Sequence, residues 1–217
     1  MAGLIADPFR AARLLLHLRQ EGVTDPRVLT AMETIDRAAF VDDPELAPLA
    51  FEDTMLPIPC GQVILRPAAT GHLLQALAPP EDGSARVLLV GFGSGYTAAL
   101  LASLSAEVCA LDRYGRLVRE GAARLVRLGI GNVTVRQEDG LQGWPEPRLF
   151  ERILLAGTVS EVPEAVLAQL APAGRLAAVV AGGAGRAILS LTAEGEATRT
   201  PFFQQVPGLT EGLAAVL

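Results

Sequence analysis

The stretch Arg86-Val87-Leu88-Leu89-Val90-Gly91-Phe92-Gly93-Ser94-Gly95-Tyr96 decides the fold. Its first five residues, an arginine and four aliphatics, form a compact and largely apolar run, suited to a strand buried on both faces. Three alternating glycines follow, and residues 97–103 then read as a helix. Strand, glycine turn and helix in that order open a doubly wound α/β sheet, in which a ligand lies against the turn and the helix N-terminus. The spacing is Gly-x-Gly-x-Gly, without the longer gap of the dinucleotide fingerprint. A tight turn with no ligand would also use glycine.

The same alternation continues downstream. Residues 108–111 form a second apolar run, followed by a helical stretch over 114–128. Residues 132–136 and 152–156 make a third and a fourth run, 163–170 read as a helix, and 174–180 as a fifth strand. Short continuous apolar strands separated by helices predict a parallel sheet covered on both faces. Residues 187–191 and 202–206 read as a terminal hairpin, which would add an antiparallel edge. Upstream, residues 11–20 suit an amphipathic helix ending at Gly22, and Asp25-Pro26 opens another toward Phe40. Pro44, Pro48, Pro57 and Pro59 exclude a long element between 42 and 59, and Pro67 begins a helix through Leu77. The expected organisation is one domain over 1–217: a helical and loop part, 1–80, followed by the α/β core, 81–217.

Composition narrows the chemistry. A chain of 217 residues with half of them hydrophobic and 19% charged can bury a core without disulfides or a structural metal. All 18 basic residues are arginine, so Schiff-base chemistry and a phosphate-loop lysine are excluded. Two cysteines, Cys60 and Cys109, and two histidines, His17 and His72, do not make a metal centre. The net charge of −6 disfavours a nucleic-acid surface. No apolar window is long enough to span a bilayer, because Arg13, His17 and Arg19 interrupt Leu14-Leu15-Leu16. No secretion signal is expected either, and a soluble cytoplasmic location is the default.

Two acidic residues turn the glycine loop into a pocket. Asp112 ends the second strand, seventeen residues after Gly95, at the sheet edge where ligands bind in this fold class. A carboxylate there can accept from both hydroxyls of a ribose. Asp139-Gly140 follows the third strand; Asp139 could accept from the amine of an adenine, and Gly140 permits close approach. Alone, that pair would read as an Asp-Gly turn. Together the three strand ends describe a site for an adenosine-bearing ligand without phosphate, a description S-adenosylmethionine fits better than a nucleotide.

With these residues in view, the chain resembles the protein-L-isoaspartate O-methyltransferase family over most of its length. The resemblance is carried by Asp36-Arg37-Ala38-Ala39-Phe40-Val41, Leu56-Pro57-Ile58, Gly61-Gln62 and the glycine loop. It continues through Asn132-Val133, Asp139-Gly140-Leu141-Gln142-Gly143-Trp144, residues 163–170 and Ala173-Gly174-Arg175-Leu176. It implies a doubly wound, mostly parallel Rossmann-like methyltransferase sheet. It also implies methyl transfer from S-adenosylmethionine to a carboxylate of damaged aspartyl residues in a protein or peptide. The loop Gly91, Phe92, Gly93, Ser94, Gly95 and Tyr96 would bind the cofactor, with Asp112, Arg113, Asp139 and Gly140. Ile58, Gln62, Val63 and Leu65 would line the acceptor side. No catalytic side chain and no metal are implied.

The chain departs from the family pattern at three places. Where the family usually has Thr-Ile-Ser after Gly-Gln, this chain has Val63-Ile64-Leu65, so two hydroxyls are replaced by aliphatic groups. Leu89 stands where the family tends to carry an acid, which predicts weaker cofactor affinity. Two readings follow. In one, isoaspartyl methylation persists, with backbone amides and Arg66 holding the carboxylate. In the other, a catalytically altered or silent relative binds S-adenosylmethionine and acts on another acceptor or as a protein-binding module. Among the remaining motifs, Arg113, Arg116, Arg119, Arg124 and Arg127 predict a solvated basic helix face. His72 and Trp144 are expected to pack, Cys109 to be an inert buried thiol, and Cys60 carries no mark of a reactive one.

Overall fold

The computed structural model describes residues 8–183 and 185–214. The chain opens with α1 (Pro8–Gln20) and α2 (Pro26–Thr34). The Asp25 side chain accepts from the backbone N–H groups of Arg27 and Val28 and so starts α2. That helix stops at Thr34 instead of running toward Phe40, because Asp36 caps a separate 3-10 turn, Arg37–Phe40, through the Ala38 N–H. A small antiparallel hairpin follows, β1 (Leu56–Ile58) with β2 (Gln62–Ile64), and then α3 (Pro67–Leu77).

The glycine stretch is β3 (Arg86–Val90) running into α4 (Tyr96–Leu104). After it come β4 (Glu107–Asp112), α5 (Gly115–Arg127), β5 (Val133–Gln137), β6 (Phe150–Val159), the one-turn α6 (Glu164–Leu167), β7 (Leu170–Gly182), β8 (Gly185–Thr192) and β9 (Ala197–Pro201). Seven strands form one sheet in the order β5-β4-β3-β6-β7-β8-β9. The first five run parallel and β8 and β9 are added by antiparallel pairings; the order reverses beside β3 and opens a crevice at the parallel strands' carboxyl ends.

Alternation along the inner strands builds two cores. Val87 and Leu89 of β3, with Val108 and Ala110 of β4, join the core beneath α1 to α5. Leu88 and Val90, with Cys109 and Leu111, join the core under Leu141, Trp144 and Val166. Leu89 is 0% exposed. It packs in the first core and is not among the residues that line the cleft.

Two further expectations are corrected. The helix expected over 163–170 is one turn, because Leu170 is already paired with Phe150 at the start of β7. The Gln169 side chain beside it is spent on the backbone of Trp144. The terminal hairpin pairs β8 with β9, not with residues 202–206. Phe202 tucks into the first core, whereas Phe203 is 93% exposed.

Candidate active site

The loop after β3 is shaped by backbone bonds. Gly91 and Phe92 both donate their N–H to the Leu111 carbonyl, each at 3.0 Å. Gly91 and Gly93 have φ of 90° and 59°, the left-handed region that favours glycine. Phe92, Ser94 and Tyr96 point away from the opening. The Phe92 ring lies where a side chain on Gly121 would sit, 2.3 Å from a built Cβ, and a Cβ on Gly95 would meet it at 3.1 Å. Tyr96 is enclosed against Phe40, ring centres 5.5 Å apart, and burial pushes its hydroxyl up to about 12. Ser94 offers its carbonyl to Arg124 at 2.8 Å. Phe92, Ser94, Gly95 and Tyr96 therefore shape the loop from beneath, while Gly91 and Gly93 face the cleft.

Asp112 sits at the end of β4 and is 8% exposed. Its Oδ2 accepts the Gly93 N–H at 2.8 Å and its Oδ1 the Tyr114 N–H at 3.0 Å. Burial raises its pKa, and the amides of Gly93, Tyr114 and Arg113 oppose that shift. Each carboxylate oxygen keeps capacity for another donor, as two vicinal hydroxyls require. Gly140 lines the same cleft: a Cβ there would stand 2.4 Å from a Val90 methyl, so a larger residue would have to displace that side chain. Asp139, expected at an adenine edge, is outside the cleft lining. Its Oδ1 accepts from Leu141 N at 3.1 Å and its Oδ2 from Gly212 N at 2.8 Å.

The segment expected to line the acceptor side belongs to the β1–β2 hairpin, which turns through Cys60 at φ 63°. Gln62, Val63 and Leu65 line the same cleft as Gly91, Gly93 and Asp112. Ile58 is buried behind them, 3.6 Å from where a Cβ on Gly93 would be. Arg66 is not available to an acceptor. Its Nε and Nη2 donate to Asp53 Oδ2 at 3.1 and 2.6 Å, and Asp53 Oδ1 takes the Ala68 N–H.

Sequence reasoning missed Tyr114 and the C-terminal strap Pro207–Gly208–Leu209–Thr210, all of which line the cleft. Thr158 holds the strap by donating its N–H to Pro207 O at 2.7 Å, accepting from Leu209 N at 2.9 Å and donating its hydroxyl to Val206 O at 2.8 Å. Arg113 Nη1 pairs with Thr210 Oγ1, and Ala214 N donates to Arg113 O. The available signal was Gly157, which leaves room for Leu209: a Cβ there would stand 2.6 Å from the leucine. Arg113 Nε is buried on the cleft side chain without a partner. That spare donor, the bare backbone of Gly91 and Gly140 in the cleft wall and the Asp112 carboxylate together fit an adenosine group.

The other singled-out residues lie elsewhere. His72 is half-buried with its ring against Phe202, and Trp144 is buried beneath the Arg136 guanidinium at 4.7 Å. Burial pushes the Cys109 thiol up to about 11, so it is inert at neutral pH. Arg116 pairs with Glu120 on the surface of α5, whereas Arg124 is buried, tying that helix to the glycine loop and to Asp42. The basic face is thus only partly solvated.

Comparison with known proteins agrees with this geometry. Residues 10–198 match the family model described as protein-L-isoaspartate(D-aspartate) O-methyltransferase. A protein-L-isoaspartate O-methyltransferase of Paracoccus denitrificans is 47% identical over 162 residues, covering 74% of this chain and 73% of that one. One from Rhodospirillum rubrum is 44% identical over 168 residues, covering 77% and 75%. A solved structure carrying the same name superposes with a TM-score of 0.75 at 22% identity, covering 92% of this chain and 67% of that one. A Plasmodium falciparum structure so named, in complex with S-adenosyl-L-homocysteine, superposes with 0.74 at 24%, covering 92% and 98%. These two likenesses show the fold.

Proposed function

Because this chain belongs to the protein-L-isoaspartate(D-aspartate) O-methyltransferase family, we propose that its cleft binds S-adenosylmethionine and methylates the carboxylate of isoaspartyl residues in peptides and proteins. The chain is an S-adenosylmethionine-dependent O-methyltransferase with a Rossmann-like sheet. The observation that carries the finer reading is that one cleft is lined by Gly91 and Gly93 of the glycine loop, Asp112, and Gln62, Val63 and Leu65.

When bound, the cofactor supplies an electrophilic methyl group. Gly91 and Gly93 would hold its methionine part against bare backbone, Asp112 would accept from the ribose hydroxyls, and Arg113 with Gly140 would border the adenine. Pro207 to Thr210 cover the opposite side and exclude water. A carboxylate is already a nucleophile at neutral pH, so no general base is needed and positioning dominates the rate. In this reading residues 1–80 supply the acceptor edge and 81–217 the cofactor cradle of one folding unit. Its place is the cytoplasm and its role protein repair; among the described residues no helix is long and apolar enough to cross a membrane.

The test is radiolabelled methyl transfer to an isoaspartyl peptide beside its aspartyl control, with calorimetric titration of S-adenosylhomocysteine. Selective labelling of the isoaspartyl peptide supports the reading. Cofactor heat without labelling supports the silent relative, and no heat at all removes both.

A further inference from the structure

The acceptor edge presents aliphatic side chains at Val63 and Leu65, and a peptide carboxylate held there needs a hydrogen-bond donor. The cleft wall carries five polar side chains: Gln62, Asp112, Arg113, Tyr114 and Thr210. Asp112 is acceptor-only when ionised. Arg113 Nη1 and Thr210 Oγ1 bond each other beside the strap, and the proposed reading sets Arg113 against the adenine. Gln62 Nε2 has two hydrogens, and its partners are the Cys60 carbonyl at 3.3 Å and the Tyr114 hydroxyl oxygen at 3.4 Å.

The Tyr114 hydroxyl accepts from Gln62, so it keeps its own hydrogen to give. Its position is built. Asp112 Oδ1 receives the Tyr114 N–H, the Arg113 guanidinium lies over the ring at 5.6 Å, and the ring packs against the first core. We infer that Tyr114 is a specificity-determining residue of the acceptor site, its O–H donating to the carboxylate of the incoming residue while Gln62 orients it. This rests on the proposed isoaspartyl reading and names the donor that reading lacks at Val63 and Leu65. A bond to one carboxylate oxygen leaves the other free to take the methyl group. The same residue joins the two halves of the site, since Asp112 positions its backbone and Gln62 its hydroxyl.

The test is Tyr114→Phe, which removes one oxygen and keeps the ring. The expected result is a KM for the isoaspartyl peptide raised about tenfold, the scale of one lost hydrogen bond to a charged group. S-adenosylhomocysteine affinity and kcat should stay within about twofold, because the loss falls on acceptor binding alone. Gln62→Leu should raise the same KM less, since it frees the hydroxyl to rotate without removing it. An unchanged KM in Tyr114→Phe overturns the inference while wild-type turnover keeps the functional reading standing. A loss of S-adenosylhomocysteine affinity in that variant assigns the hydroxyl to the cofactor and overturns it too. A wild-type protein that neither binds nor labels the isoaspartyl peptide overturns the functional reading and the inference together.

Discussion

The guanidinium of Arg37 donates to the backbone carbonyl of Leu65 at 3.1 Å, from a side chain only 4% exposed. The same group reaches the carbonyls of Ala50 at 3.2 Å, Glu52 at 3.4 Å and Thr54 at 2.7 Å. One planar cation thus ties the loop before β1 to Leu65, a residue of the cleft wall. Burial lowers its pKa to about 10, opposed by Tyr96 and Asp53, so it is charged at neutral pH.

Lysine cannot reproduce that fork. Arg37→Lys should lower stability by about 2–3 kcal/mol, the sum of a few weakened bonds to a charged donor. Below its melting temperature the variant should show a raised KM for peptide with S-adenosylhomocysteine affinity kept. Equal losses at both ends of the cleft would mean that Arg37 serves only global folding.

The proposed function makes Asp112 the main holder of the cofactor's ribose. Asp112→Ala should weaken S-adenosylhomocysteine binding well beyond tenfold, since each hydrogen bond to a carboxylate contributes about 1.5–3 kcal/mol. It also releases the Gly93 N–H, so loop order should be checked by amide exchange at Gly93. Calorimetry that finds wild-type affinity would remove Asp112 from the ribose.

Val63→Thr with Leu65→Ser restores two hydroxyls to the acceptor edge. The expected gain in kcat/KM on isoaspartyl peptide is about 1–3 kcal/mol. Leu65 is buried in the first core, so its replacement should cost about 2–4 kcal/mol of stability. The pair is tested together because neighbouring changes around one ligand need not add. A folded, cofactor-binding double variant without gain would show that the pocket has diverged beyond these positions.

Asp139 separates two roles. Its bond to Gly212 N predicts that Asp139→Ala speeds hydrogen exchange and proteolysis across residues 207–214 in the protein without ligand. A direct adenine contact predicts weaker cofactor binding with the strap's exchange unchanged. Exchange measured before any titration decides between them.

Glu151 sets an acid limit. Arg86 bonds it through Nε, Nη2 and the backbone N–H, and the side-chain hydrogen bonds lower its pKa from 4.5 to about 2. A depressed carboxylate adds stability above its unfolded pKa and loses it as pH falls through the folded value. Wild-type stability should therefore fall between about pH 4.5 and 2 more steeply than that of Glu151→Gln. Parallel acid curves for the two proteins would assign the transition to other carboxylates.

Much of this protein is written locally. Four aliphatic residues, Val87 to Val90, followed by Gly-x-Gly-x-Gly read as a strand entering a tight turn, and the repeated alternation after it pointed to a parallel sheet. Asp112 was legible because an apolar strand must deliver its last residue to the sheet's carboxyl edge, where β4 lies beside β3. Gln62, Val63 and Leu65 were legible through resemblance alone, since nothing in a three-residue strand announces a cleft. Tertiary packing decided the rest. Phe92 and Tyr96 turned to the core because Gly121 and Phe40 stand beneath the loop. Arg66 went to Asp53, thirteen residues away and near only after folding. The strap over the cleft depends on Thr158 and Asp139 meeting residues 48 to 73 positions further on. Periodicity and turn chemistry report on neighbours in the chain; which partner a polar side chain finds is set by elements that meet only once the sheet has closed.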